Sequence, residues 1–162
     1  MKTNYELRYA SNPEDAKNYD TARLRRDFLV DKLFAANEVN MVYSMYDRMI
    51  FGGAMPSGEE LRLEAIDPLK ATHFTSRREI GIYNVGEGDG IVRVGEEDFE
   101  LGYKEALYIG QGEHDILFIS KDSGKPAKFY FNSTPAHKAY PSRKITKADA
   151  ISVHMGSLEM SN

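Results

Sequence analysis

The stretch Glu79-Ile80-Gly81-Ile82-Tyr83-Asn84-Val85, then Gly86-Glu87-Gly88-Asp89-Gly90, then Ile91-Val92-Arg93-Val94 decides how the whole chain is read. Apolar residues alternate with small or polar ones and give way to a glycine-rich break, the pattern of a half-buried strand ending in a turn. Further apolar runs follow at Phe99 and Leu101, at Ala106-Leu107-Tyr108-Ile109, at Ile116-Leu117-Phe118-Ile119 and at Phe129-Tyr130-Phe131. The breaks between them carry Gly95-Glu96-Glu97, Gly110-Gln111-Gly112 and Asp122-Ser123-Gly124. A spacing of roughly 8 to 12 residues is that of an antiparallel sandwich or barrel. No helical pattern is interposed, which argues against a parallel α/β sheet. Gly86-x-Gly88-x-Gly90 opens no helix and reads as a hairpin turn, not a dinucleotide loop.

Upstream, Met41-Val42-Tyr43-Ser44 and Arg48-Met49-Ile50-Phe51 are rich in strand formers, with Gly52-Gly53 closing the run. Ser57 to Leu69 reads as loop, broken by Pro56, Gly58 and Pro68. The first 35 residues are polar and partly helical. Asn12 caps a helix that Pro13, Glu14 and Asp15 open, and Thr21 or Asp20 caps a second over Ala22 to Phe28, with Leu24 and Phe28 on one face. After Ser133 the chain is loop, with one helical turn at Lys147-Ala148-Asp149 capped by Thr146. The division expected is an N-terminal helical or extended arm over 1–35, a β domain over 36–145, and a linker over 146–162.

At 162 residues the chain has the size of one domain, and 41% hydrophobic with 28% charged residues is a globular composition. Cysteine is absent, which excludes disulfides, thiolate nucleophiles and cysteine-ligated metals. No run approaches the roughly 18 apolar residues of a membrane span, and Met1 to Arg8 lacks the apolar core of a secretory signal. A cytoplasmic location without membrane contact is the expectation. A net charge of −4 argues against a general nucleic-acid binder. Charge is nonetheless uneven. Gly86 to Glu105 holds seven acids and two bases, and Lys121 to Lys147 holds seven bases and one acid. A basic surface facing an anionic ligand or an acidic neighbour would look like this; so would two solvated faces.

Cupin-type jelly rolls bring three imidazoles and a carboxylate to one metal, on a His-x-His…Glu…Gly motif and a Gly…Pro-x-Gly-x2-His motif. The frame is present here with few of the ligands. Glu79 and Gly86 fit the end of the first motif, which puts its imidazole positions on His73 and Thr75. Lys104 to Gly112 fits the second; its ligand position falls on Asp115, with His114 one residue off and so on the opposite face of a strand. At most His73, Glu79 and Asp115 remain, and ordinary surface or loop roles for them are the simpler reading. His137 lies in a proline-bounded loop, and His154 has no evident partner. Of Arg77 and Arg78, one faces the barrel interior, where it clamps a sugar carboxylate or pairs with Glu79 or an acid on the next strand. No phosphate loop, nucleophile elbow or HExxH is present.

Longer segments go beyond this frame. Arg23-Leu24-Arg25-Arg26-Asp27-Phe28-Leu29-Val30, Met41-Val42-Tyr43-Ser44, Asp47-Arg48-Met49-Ile50, Gly52-Gly53-Ala54-Met55-Pro56, Arg77-Arg78-Glu79-Ile80-Gly81, Ala106-Leu107-Tyr108-Ile109-Gly110 and Pro126-Ala127-Lys128-Phe129-Tyr130-Phe131-Asn132 fall in one collinear series with Pro135-Ala136-His137 and Tyr140-Pro141. Together they resemble the N-terminal half of the 5-keto-4-deoxyuronate isomerases, also called 4-deoxy-L-threo-5-hexosulose-uronate ketol-isomerases. The resemblance implies two cupin-like halves, a homohexamer, and aldose–ketose type isomerisation in pectin breakdown, between 5-dehydro-4-deoxy-D-glucuronate and 3-deoxy-D-glycero-2,5-hexodiulosonate. It implies zinc held by three histidines and a glutamate in the C-terminal half, with no catalytic, cofactor or metal residue carried onto this chain. The segment is then expected to be structural, oligomerising and inactive alone. Two alternatives stand beside it: a freestanding cupin-like module holding acidic sugars on Lys121 to Lys147, and a relative of the 5-deoxyglucuronate isomerases.

Overall fold

A computed structural model describes residues 2–153 and 155–157. In chain order it contains β1 (Lys2–Arg8), α1 (Pro13–Ala16), α2 (Thr21–Phe28), β2 (Glu38–Ser44), β3 (Ile50–Ala54), β4 (Leu61–Arg62), β5 (Arg78–Asn84), β6 (Gly90–Val94), β7 (Glu97–Leu101), β8 (Ala106–Ile109), β9 (Ile116–Ser120), β10 (Phe129–Pro135) and β11 (Arg143–Ile145). The six apolar runs that begin at Ile80 are β5 to β10. Two sheets result, one of seven strands in the order β1-β2-β3-β10-β5-β8-β11 and one of four in the order β4-β9-β6-β7. The named strands pair antiparallel except β1 with β2. The mainly β, two-sheet architecture expected from the sequence is present.

Strand alternation fills the space between the sheets. Ile80 and Ile82 of β5, Phe129 and Phe131 of β10, Val92 of β6, Leu107 and Ile109 of β8, and Ile116 and Phe118 of β9 are all buried. Phe118 lies 5.3 Å from the ring of Phe129 and 6.1 Å from that of Phe131, and Phe74 meets Phe131 edge-on at 6.3 Å. Where a hollow jelly roll would hold a ligand, this one holds phenylalanine.

Six expectations need correction, the first being that the segment after Ser133 is loop: β10 runs to Pro135 and β11 pairs there with β8. The break Gly86–Gly90 is not a hairpin. β5 lies in the large sheet between β10 and β8, and β6 lies in the small one, so the glycines carry the chain from sheet to sheet. A Cβ on Gly88 would stand 1.8 Å from the Lys125 carbonyl oxygen, so only glycine permits this approach. Gly52 and Gly53 lie inside β3, not after it. A Cβ on Gly52 would meet the Phe131 ring at 2.4 Å and the Asn40 carbonyl oxygen at 2.5 Å. Ser57 to Leu69 is not all loop, because β4 pairs with β9 there and Asp67–Leu69 forms a 3-10 turn. The polar N-terminal segment contains β1, which pairs in parallel with β2 from Lys2–Glu38 to Arg8–Ser44. The α1 and α2 caps are Asn12 and Asp20, as the sequence indicates, but Leu24 and Phe28 are exposed and form no buried face.

Three ion pairs join the acidic run to the basic one, between side chains that for the most part stay in solvent. Lys121 Nζ lies 2.6 Å from Glu100, Lys125 Nζ 3.7 Å from Glu87, and Lys144 Nζ 2.9 Å from Glu105. Glu105 also accepts from the Gly102 N–H at 2.8 Å. That backbone donor first, and then Lys144, hold its carboxyl below the ordinary value of 4.5. Folding therefore favours the carboxylate, and the resulting stability is present above the ordinary value and is lost as pH falls through the lowered one. Glu105→Gln is expected to flatten the acid limb of the melting temperature followed from about pH 7 to about pH 3. An unchanged acid limb in the variant would remove Glu105 from the account.

Candidate functional site

Two places in the fold gather chemistry-bearing side chains. The first is the remnant of the metal frame. His73, on the loop before β5, brings Nε2 to 3.9 Å from Asp115 Oδ1, on the loop before β9. His114 lines the same cleft of about 560 Å³ with Arg62 and Glu64. The frame thus places His73 and Asp115 together. It does not assemble a ligand set. Asp115 accepts a hydrogen bond from Arg62 Nη1, and the buried Thr75 hydroxyl donates to the Gly112 carbonyl at 2.8 Å. Glu79 is elsewhere. Buried Arg78, Ile80 and Ile82 take one face of β5, so alternation turns Glu79 to the other, where the Tyr108 hydroxyl donates to it at 2.7 Å. Burial, and then the Glu79 carboxylate, push the Tyr108 phenol up to about 12. Among the described residues no three of His, Cys, Asp and Glu come together to hold a metal ion. The zinc implied by the sequence resemblance finds no fit here. His137 is exposed on the loop after β10, and His154 lies outside the described residues.

The second place is the Arg77–Arg78 pair. Arg78 faces inward, 4% exposed. Its Nε donates to Ser133 Oγ at 3.0 Å; its Nη2 donates to the Ser133 carbonyl at 2.8 Å and the Arg48 carbonyl at 2.7 Å. The guanidinium stands 5.7 Å from the Tyr43 ring centre. No carboxylate completes the pairing foreseen from the sequence, because every acceptor is neutral. Arg77, exposed just before β5, donates to the Leu69 and Lys70 carbonyls. Burial chiefly, with the charge of Arg48 adding to it against the opposing effect of Tyr43, lowers Arg78 to about 10, still a cation at neutral pH.

Arg48 was not singled out as a site residue by the sequence. It sits with Asp47 in the tight turn between β2 and β3, closed by Met49 N–H to the Tyr46 carbonyl at 3.2 Å. Both central residues are left-handed, with φ of 52° at Asp47 and 53° at Arg48. Such a turn favours Asn-Gly or Asp-Gly, and an arginine in the glycine position is the one signal that marks it. Arg48, Arg77 and Arg78 line a cavity of about 490 Å³ whose walls include Tyr43, Leu69 and Phe74.

The KduI/IolB family model matches residues 28–161. The chain is 68% identical over all its 162 residues to 4-deoxy-L-threo-5-hexosulose-uronate ketol-isomerase 1 of Bacteroides thetaiotaomicron, of which it covers 58%. It is 65% identical to the ketol-isomerase of Bacteroides fragilis and 50% identical to that of Formosa agariphila, again over its full length and 58% of theirs. The chain therefore spans a little over half the length of these curated relatives. An IolB-like protein of Salmonella typhimurium is 15% identical with a TM-score of 0.50, over 67% of this chain and 40% of that one, a likeness of fold alone. A cupin protein of Bacteroides fragilis has a TM-score of 0.40 at 16% identity, over 65% of this chain and 79% of that one.

Proposed function

We propose, from the premise that this chain belongs to the KduI/IolB family, that it forms the N-terminal, non-catalytic domain of a ketol-isomerase acting on a uronate of pectin breakdown. The supporting observation is the core. Phe74, Phe118, Phe129 and Phe131 occupy the barrel interior, and they are fully or almost fully buried. The relatives named for the uronate reaction are 50% to 68% identical, which favours that substrate over 5-deoxyglucuronate.

A ketol isomerisation moves a carbonyl to the neighbouring carbon. It needs a base for the intervening proton and a partner for the enediolate oxygen that forms. Glu79 accepts from Tyr108, and Asp115 lines its cleft already bonded to Arg62, so each carboxylate has a partner in place. In this reading the zinc, with its three histidines and glutamate, belongs to residues outside this chain. The chain supplies the scaffold and the assembly surface of a cytoplasmic homohexamer. No helix among the described residues is long and apolar enough to cross a membrane. The alternative module, holding acidic sugars on Lys121 to Lys147, loses support because Lys121, Lys125 and Lys144 already face acids.

Two measurements test the reading. With zinc and 5-dehydro-4-deoxy-D-glucuronate, the chain is expected to show no turnover above the uncatalysed rate; turnover well above it would end the non-catalytic assignment. A chimera carrying this chain in place of the matching segment of the Bacteroides thetaiotaomicron protein is expected to keep activity within about tenfold of that protein, a barrier change of about 1.4 kcal/mol. A folded but inactive chimera would remove the assignment as an isomerase domain.

A further inference from the structure

We infer that the cavity bounded by Arg48, Arg77 and Arg78 is a binding site for a small organic carboxylate of sugar-acid size. The inference concerns this pocket alone and stands whichever way the isomerase measurements fall.

Three arginines line one cavity, and no Asp or Glu is among its lining residues. No ion pair among the described residues engages any of the three, although most other pronounced charge runs in the chain are paired internally. A cation held away from water on neutral acceptors is costly, and neighbouring like charges add to the cost. Arg78 pays it on Ser133 and the Arg48 carbonyl. An anion between the guanidiniums would relieve both terms at once.

The donors left over are suited to that role. The bonds of Arg78 use Nε and Nη2 and leave Nη1; those of Arg77 use Nη2 and leave Nε and Nη1. The Arg48 guanidinium makes no hydrogen bond among the described residues, and the residue is exposed at the mouth. Planar forks of this kind match a carboxylate in geometry and charge. Tyr43, Leu69 and Phe74 supply an apolar wall, and a cavity of about 490 Å³ has room for the carbon skeleton of a hexose acid. A bare inorganic anion would leave that wall unused.

The backbone at Arg48 adds an independent observation. Its φ of 53° is left-handed, a conformation that glycine adopts without strain and arginine does not. This makes Arg48→Gly an unusually clean variant. It keeps the carbonyl that Arg78 uses, relieves the turn, and deletes only the guanidinium.

Calorimetry on the chain with D-glucuronate, D-glucose and inorganic phosphate tests the inference, with melting temperature followed in parallel. Glucuronate is expected to bind saturably at about 1 mM or tighter, glucose not to bind, and phosphate to bind at least severalfold more weakly than glucuronate. Arg48→Gly is expected to weaken glucuronate roughly tenfold or more while its melting temperature holds or rises. Absence of glucuronate binding, equal binding of glucose, phosphate as tight as glucuronate, or a stable Arg48→Gly that binds like the parent would each overturn it.

Discussion

Asn84→Leu is expected to lower the unfolding free energy by about 4 kcal/mol, a large share of the roughly 5 to 15 kcal/mol that holds a domain folded. Asn84 is wholly buried at the end of β5. Its Nδ2 donates to the Gly88 carbonyl at 2.8 Å and the Leu101 carbonyl at 2.9 Å; its Oδ1 accepts from the Gly86 N–H at 3.0 Å and the Lys128 N–H at 3.3 Å. One amide thus joins the large sheet, the glycine crossover, the end of β7 in the small sheet and the approach to β10. Leucine has the same branching and number of side-chain heavy atoms and is somewhat larger, so the loss is not a cavity. It is four backbone groups left in the interior without partners, each costing about 1 to 3 kcal/mol before relaxation. Asn84→Asp separates the two halves of the interaction. It keeps acceptors for Gly86 and Lys128 but turns oxygen toward two carbonyls, so it too destabilises, and more as pH rises through the pKa of the new carboxyl. Urea unfolding measures both. A loss below about 1 kcal/mol for Asn84→Leu would mean that the sheets are joined elsewhere.

Phe131→Ala is expected to cost about 3 to 5 kcal/mol, whereas Tyr130→Ala beside it costs below about 1 kcal/mol. Phe131 is fully buried, stacked on Phe118 and met edge-on by Phe74. Gly52 lies close against its ring, so no side chain of β3 stands ready to fill the gap. Tyr130 points to the other face of β10, partly exposed, with its ring 6.0 Å from that of Tyr83. Equal losses at the two positions would contradict the inward and outward assignment of β10. The measurement also bears on the proposed function, because the filled interior is what separates this barrel from a hollow one.

Much of this fold is legible from residues 79 to 132, because alternation and turn residues are local signals. Their partners are not. Whether Gly86–Gly90 turns β5 back on itself or carries it to another sheet depends on β10, more than forty residues away, which takes the place beside β5. β1 escapes the same reading because an edge strand is buried on neither face strongly enough to write a pattern; Tyr5 and Leu7 are exposed along with Glu6. At the metal frame, spacing places His73 near Asp115, but only the pleat of β5 shows that Glu79 looks the other way. For the arginines, a strand carrying two in a row puts one inside. That its acceptors are neutral, and that Arg48 joins it from a distant hairpin, follows from tertiary contacts that no spacing encodes.

The position of β10 also imposes an order on synthesis. The small sheet is complete once Ser120 has been made, but the large one is not. β1, β2 and β3 form one leaflet and β5 with β8 another, and the only strand between them is among the last in the chain. Until Phe129 to Pro135 emerge from the ribosome, the facing edges of β3 and β5 have no strand between them. Such edges are where growing chains on neighbouring ribosomes pair with one another. In that interval no native contact covers them.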